Sequence, residues 1–360
     1  MEYESRKLRT DIPVFDNHCH VCFPEPIEDT QRGFERYIQE LGISALGILS
    51  APRVRHTGMD VDILENLKVL YLKERLSVPV YAYAGFIDYS DDGEDYVAFA
   101  KSALAMGFDG FKSLEQHPAE RKKFGRPLCL PSFDPFFDYI GEVGAPIVCH
   151  IGDPRFNWSS DTASESAKML GRVYDDHFLT LDELYDEMGQ VFQKHPNVKF
   201  ILAHFYFRTD DHDGLVELME CYPNICLDLT PGTEMYLNFS KNPELWRNFF
   251  LRYSQRIIMG SDLYGAGYGS NRHRLVRAFL ETGEPFAVND KADVVTPLKL
   301  PDKVLSDICF HNARRLLAHD PNPVDREKAF AACNYIAQHR YHELNEIGKE
   351  NLRTFMKFWG

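Results

Sequence analysis

Two histidines one residue apart, His18 and His20, close the short apolar run Val14-Phe15-Asp16-Asn17-His18-Cys19-His20. In a β-strand alternate side chains share a face, so both imidazoles point one way and Cys19 the other. Imidazole is the commonest protein ligand for zinc and kindred metals, and a same-face pair supplies half of a site. The pair also has an ordinary reading, because a His-x-His in a strand can be a surface or packed feature with no metal. Ligating residues at the ends of other strands would separate the two readings.

Seven further apolar runs of strand length follow: Ile43 to Leu49, Val78 to Ala84, Phe108 to Ser113, Pro146 to His150, Val198 to His204, Ile225 to Leu229 and Arg256 to Asp262. Helical patterns separate them, over Thr30 to Leu41, Met59 to Leu76, Asp95 to Met106, Phe133 to Val143 and Thr180 to Lys194. Ser132 is placed to cap the fourth of these, and Thr180 with Glu183 has capping-box spacing. Eight strands recurring roughly every 30 to 40 residues predict a (β/α)8 TIM barrel over residues 12–318. A doubly wound open sheet would not require eight. The polar stretch from Arg155 to Asp176 reads as a lid or loop excursion, and residues 319–360 as a helical C-terminal extension outside the barrel.

In such barrels the active site lies at the C-terminal ends of the strands. The polar residues there are few: His18 and His20 on the first strand, Lys112 on the fourth, His150 on the fifth, His204 on the sixth and Asp262 on the eighth. Together they favour the metal reading of the first pair.

With these residues the chain resembles the amidohydrolase superfamily, in its amidohydrolase-related branch of metal-dependent barrel hydrolases and decarboxylases. The resemblance rests on Asp16-Asn17-His18-Cys19-His20, Val148-Cys149-His150, Leu202-Ala203-His204, Gly260-Ser261-Asp262 and Asn312-Ala313-Arg314-Arg315-Leu316, over residues 12–318. It implies that His18, His20, His150 and Asp262 bind a divalent metal. Zinc comes first, and manganese, iron or cobalt suit the same donors. The bound ion would acidify water, with Asp262 accepting the proton and His204 orienting the water or polarising the reacting group. Lys112 stands where binuclear members carry a carboxylated lysine. One ion is expected rather than two, with Lys112 then an ammonium for a substrate carboxylate. Asp16 is expected to hydrogen-bond a neighbour, and Asn312 to make a structural contact.

The expected reaction is hydrolysis of a C–N or C–O bond in a small carbonyl compound. Decarboxylation of an aromatic or enoic acid is the alternative, and a non-catalytic binding barrel a third reading. Arg53, Arg55, Arg155 and Arg208, near strand ends or in loops, suit bidentate recognition of an anionic substrate, although an arginine taken singly is more often a surface ion-pair residue. A formal charge of -14 and a pI near 5.5 argue against nucleic acid as a partner. The polar N-terminus lacks a signal-peptide core, and no run reaches the ~18 apolar residues of a membrane span. The eight scattered cysteines read as reduced thiols, which together predicts a soluble cytoplasmic enzyme. Cys19 and Cys22 have C-x-x-C spacing without a second such pair. A homo-oligomer is possible on these grounds, and nothing in the sequence specifies one.

Overall fold

The computed structural model describes residues 2–21, 25–51, 63–86, 95–265, 270–289 and 293–360. Its strands are β1 Val14–His20, β2 Ile43–Leu49, β3 Val80–Gly85, β4 Gly110–Gln116, β5 Ile147–Ile151, β6 Phe200–Leu202, β7 Ile225–Asp228, β8 Ile257–Ile258 and β9 Leu263–Tyr264. All pair in parallel in the order β8-β7-β6-β5-β4-β3-β2-β1-β9. The two short terms at the ends of that order are halves of one broken eighth strand. It leaves β7 through β8 and reaches β1 through β9, with Asn17 N–H donating to Met259 O at 3.0 Å and Asp262 N–H to His18 O at 2.9 Å. The ring therefore closes into the expected (β/α)8 barrel.

Parallel strands buried on both faces are mostly apolar, and these depart from that chiefly where they carry polar groups toward one end of the barrel, as at His18, His20, Lys112 and Asp228. Phe15, Leu49, Tyr81, Tyr83, Val148, Ile201 and Ile258 fill the barrel, while a larger cluster joins the outer strand faces to the helices. Cys19 belongs to that outer cluster, opposite the two histidines. Strict alternation from inward-facing Phe15 would have turned Cys19 inward and the histidines out. A register shift between Asp16 and Cys19, three positions on β1 against two on β2, reverses the parity. Two glycines make room: a Cβ on Gly47 would lie 2.6 Å from Asn17 Oδ1, and one on Gly260 2.9 Å from His18 Cβ.

The helices sit close to where the sequence puts them. Asp95 caps the helix Tyr96–Met106 through Ala98 N–H, and the Thr180–Glu183 capping box is formed in both directions ahead of the helix Leu181–Lys194. Ser132 does not cap: a short 3-10 turn, Pro131–Phe133, runs straight into the helix Asp134–Val143, whose Pro135 at the first turn needs no capped N–H. The excursion after β5 holds a 3-10 turn, Arg155–Trp158, and a short helix, Glu165–Met169. Asn312 Nδ2 donates to Ser254 O and Ile257 O, both at 2.6 Å, a structural contact at the base of β8. Met59 to Asp62, at the start of the second expected helix, and Cys22 of the C-x-x-C pair lie outside the described residues.

Beyond Pro321 come the helices Arg326–Tyr335 and Glu346–Trp359, whose Leu352, Phe355 and Trp359 are buried on the barrel's outer helices. Asn351 reaches the segment that leaves β1. Its Oδ1 accepts Ile27 N–H at 2.8 Å and its Nδ2 donates to Glu25 O at 3.1 Å. Trp359 Nε1 donates to Glu74 Oε2 at 2.7 Å. Among the described residues no helix is long and apolar enough to cross a membrane.

Candidate metal centre

β1 ends inside the barrel mouth and delivers His18 and His20, 1% and 4% exposed. Their Nε2 atoms are 3.1 Å apart. What each ring does with its other nitrogen decides the chemistry. His18 Nδ1 lies 2.6 Å from Asp228 Oδ2 and His20 Nδ1 lies 3.2 Å from Leu49 O. A carbonyl oxygen and an ionised carboxylate only accept, so both Nδ1 atoms carry the proton and both Nε2 atoms carry a lone pair. Asp262 adds a third acceptor, its Oδ1 3.3 Å from His20 Nε2 and 3.9 Å from His18 Nε2. Three acceptors turned on one point repel each other unless a cation lies among them. Around a tetrahedral ion with ligands at about 2.0–2.1 Å, donor atoms stand about 3.3–3.4 Å apart, and these three distances bracket that edge. The donor set fits a divalent ion, with room for a further ligand.

Charge and burial act in the same direction. Burial, reinforced by the Lys112 charge and only partly opposed by Asp228, pushes His18 down to about 4, so it is neutral at pH 7. Burial opposes ionisation of Asp228, but His18 beside it outweighs that cost and holds the carboxyl at about 2. Burial is likewise outweighed at Asp262, where His20, His204 and Arg272 keep the carboxyl well below its usual range. Asp228 also accepts His204 N–H on Oδ1 at 2.9 Å, so one carboxylate fixes the ring of His18 and the backbone of His204.

His204 was expected to end a strand, yet β6 stops at Leu202. His204, Phe205, Tyr206 and Phe207 have φ of 54°, 53°, 63° and 48°, four consecutive side-chain-bearing residues in the left-handed region. Each costs about 1–2 kcal/mol there, and such strain concentrates at functional sites. The turn lifts the His204 ring to 5.8 Å from His18 and 4.8 Å from His150, centroid to centroid, with Phe207 stacked on it at 4.8 Å. His204 Nδ1 faces Thr230 O at 3.2 Å, which leaves its Nε2 lone pair for the site, and burial lowers the ring to about 4. Asp262 is itself left-handed, with φ of 56°, at the break in the eighth strand.

Lys112, 1% exposed on β4, points its Nζ at His18 Nε2 from 3.5 Å. His150 on β5 is in the same mouth across His204, but it is not in the group formed by His18, His20 and Asp262. Its Nε2 faces Asp153 Oδ1 at 3.7 Å, in a neighbouring buried group with His117. Asp16 accepts from Tyr37, from Ser261 Oγ and from Ser261 N–H at 2.9 Å, tying β1 to the eighth strand beneath the site. Of the arginines, Arg53 and Arg55 lie outside the described residues. Arg155 pairs with Asp210 at 3.1 Å and Asp182 at 3.4 Å, and Arg208 with Asp211 at 2.7 Å. Both guanidiniums are engaged by carboxylates of their own surroundings.

Sequence reasoning passed over Asp228 and Arg272. Asp228 ends β7 and satisfied the same rule that selected the other strand-end residues. Arg272 lies in the helix Ser270–Glu281 and carried no such signal. Its Nη1 bonds Asp262 Oδ2 and its guanidinium lies 5.7 Å from the Tyr264 ring centroid. Tyr264 in turn donates to Asp262 Oδ2 at 3.2 Å and stacks on His20 at 5.2 Å. One oxygen of Asp262 thus faces the imidazoles while the other is held from behind.

The family model described as Amidohydrolase matches residues 15–318 of the chain. Among solved structures, 5-carboxyvanillate decarboxylase LigW from Sphingomonas paucimobilis is 12% identical with a TM-score of 0.50, over 86% of this chain and 99% of that one. The 4-oxalomesaconate hydratase LigJ from Rhodopseudomonas palustris is also 12% identical with a TM-score of 0.50, over 90% and 99%. At that identity the likeness is one of fold. No curated protein matches the chain by sequence.

Proposed function

The chain belongs to the amidohydrolase family, and on that premise we propose that it is a metal-dependent hydrolase acting on a C–N or C–O bond of a small, anionic carbonyl compound. The observation that carries the reading is the His18–His20 pair, two neutral imidazoles with Nδ1 committed elsewhere and both Nε2 lone pairs turned on one point beside Asp262 Oδ1. His18, His20 and Asp262 would hold the ion, with zinc the first candidate, and His150 would have to turn from Asp153 to join them. When bound, the ion supplies Lewis acidity, which acidifies water and polarises a carbonyl.

The chain's own residues supply the rest. Asp262 takes up a proton on the oxygen facing the imidazoles while Arg272 and Tyr264 hold the other and fix its orientation. His204, anchored at Nδ1, offers Nε2 as an acceptor to the reacting group. Lys112 provides an ammonium for a substrate carboxylate, and its charge supports an anionic substrate. Lys112 and Asp262 are themselves buried, which strengthens their interactions. A reducing, cytosolic setting fits the unpaired cysteines among the described residues.

The test is to purify the protein, measure its metal, and incubate it with a panel of anionic amides, lactones and aromatic acids. Amine or alcohol release that stops on chelation and returns with zinc or manganese is the expected result. Carbon dioxide release without either would replace the hydrolase with a lyase on the same site. Absence of metal after growth in zinc and manganese would end the reading.

A further inference from the structure

The hydrogen bonds that converge on Asp16 come from three elements: β1 itself, the eighth strand and the helix Ile27–Leu41. Asp16 Oδ1 accepts His18 N–H at 3.3 Å and Ser261 N–H at 2.9 Å, and Oδ2 accepts the Ser261 hydroxyl. Ser261 Oγ in turn accepts Leu263 N–H at 3.2 Å. Asp262 therefore sits on a turn held at both of its neighbours, which lets it keep a φ of 56°. One carboxylate bonds the main chain of a candidate ligand on β1 and of the residue just before the candidate ligand on the eighth strand.

What aims Asp16 lies on two helices. Tyr37, on the helix Ile27–Leu41, donates its hydroxyl to Asp16 Oδ2, and with that proton committed its oxygen accepts from His273 Nδ1 at 2.9 Å. His273 is 0% exposed, and burial, reinforced by Arg277 and Arg274, holds the ring well below its ordinary value. It is neutral at pH 7, with its one proton on Nδ1. Its Nε2 is buried with no hydrogen-bond partner among the described residues. An imidazole that leaves one nitrogen bare in the interior is costly, and an apolar side chain would fill the space without that cost. The bond to Tyr37 is what the histidine adds. Arg272, the preceding residue of the helix Ser270–Glu281, reaches Asp262 itself, at Oδ2 and at the main-chain O, the latter at 3.3 Å. Two consecutive residues of one helix thus act on Asp262, one directly and one through Tyr37 and Asp16.

We propose that Tyr37 and His273 are positioning residues of the metal centre, which through Asp16 fix the separation between the Asp262 carboxylate and the paired imidazoles. That separation is 3.3 Å from Asp262 Oδ1 to His20 Nε2 and 3.9 Å to His18 Nε2. The inference rests on the metal reading of this centre and adds to it the groups that set its dimensions. Without the Tyr37 hydroxyl, Asp16 Oδ2 keeps only the Ser261 side chain, and the carboxylate is free to turn. The main chains of His18 and Ser261 are then no longer held to one oxygen, and the donor atoms lose a spacing that suits a tetrahedral ion.

The probe is cobalt(II), whose visible absorption reports the geometry of its ligands. Full-length protein is stripped with chelator, and cobalt affinity and spectrum are measured for the wild type, Tyr37→Phe, His273→Leu, His273→Asn and Tyr81→Phe. The last removes a different hydroxyl, bonded to His319 O at 2.8 Å on a ring stacked against Phe15, and controls for lost stability. Tyr37→Phe and His273→Leu are expected to weaken cobalt binding about 10- to 100-fold and to change the spectrum. His273→Asn, which keeps a donor where Nδ1 stands, and Tyr81→Phe should hold wild-type values. Circular dichroism matching the wild type shows that the variants are folded. Wild-type affinity and spectrum in Tyr37→Phe overturn the inference and leave the proposed function standing. Equal losses in Tyr37→Phe and Tyr81→Phe overturn it as well, since lost stability would account for both. If Tyr37→Phe does not fold, wild-type values in His273→Leu overturn it alone. A wild-type protein that binds no cobalt overturns the metal reading itself and this inference with it.

Discussion

Asp228 Oδ2 accepts the Nδ1 proton of His18 at 2.6 Å, and by doing so it decides what the opposite nitrogen of that ring can be. An amide in its place would present a donor as readily as an acceptor and would release the tautomer. Asp228→Asn should weaken metal binding about 10- to 100-fold, the usual effect of losing a partner behind a ligating histidine. Competition against a chelator of known affinity measures it, and unchanged affinity would separate Asp228 from the site.

His20 has no substitute within its strand, since its neighbours on that face are His18 and the barrel mouth. His20→Ala should lower both metal content and turnover, the latter by about a thousandfold or more, because several kcal/mol of charge stabilisation leave with the ion. Metal analysis and kcat together check this. Full activity in a metal-poor variant would refute a metal-dependent reaction.

Arg272 holds Asp262 from behind. Its removal takes away one of the charges that keep the carboxyl well below its usual range, so the carboxyl should rise. In Arg272→Ala the acid limb of kcat/KM is expected to move to higher pH. A pH profile superimposable on the wild type would show that Arg272 serves packing alone.

The buried histidines make the chelated protein acid-sensitive. His18 and His204 titrate near 4 in the fold against about 6.5 in the unfolded chain, so between those values the unfolded state binds more protons. Their contribution is fully present above about pH 6.5 and is lost as pH falls toward 4, at most about 3 kcal/mol per ring. Denaturant titrations of metal-free protein at pH 7 and pH 4.5 test the sign, and equal stability at the two would contradict it.

Asn351 ties the C-terminal helix to the segment leaving β1 through both of its polar atoms. Asn351→Ala would leave Ile27 N–H without its acceptor in a buried setting, which costs about 1–3 kcal/mol. Thermal melting should register the loss. A variant melting with the wild type would show that water replaces the side chain.

The barrel and the ligand strand were legible in the sequence because both depend on local signals. Eight apolar runs spaced by helical patterns carry the fold, and His18, His20, Lys112, His150, His204 and Asp262 stand at run ends by type and position. What escaped depends on contacts that no local pattern records. Asp228 meets His18 across 210 positions, and Arg272 meets Asp262 from a helix whose pattern records only burial. The left-handed turn at His204 was invisible for another reason. Histidine visits that region only somewhat more readily than most residues, and phenylalanine and tyrosine have no preference for it, so a run of four is imposed by the surrounding packing. The parity reversal on β1 was hidden too, because a strand read by strict alternation from His18 gives the right face for the histidines without revealing that Phe15 shares it.

The clasp between Asn351 and Ile27 spans 324 positions, and it secures the segment directly downstream of the paired imidazoles. During synthesis His18 and His20 emerge early, Asp262 much later, and the helix that locks their exit segment last of these. Until those later segments are present, the paired imidazoles lack the carboxylates of Asp228 and Asp262 that complete the centre. The centre is therefore assembled by folding across the chain and has no local precursor, since its imidazoles and its carboxylate come from strands at opposite ends of the barrel's sequence.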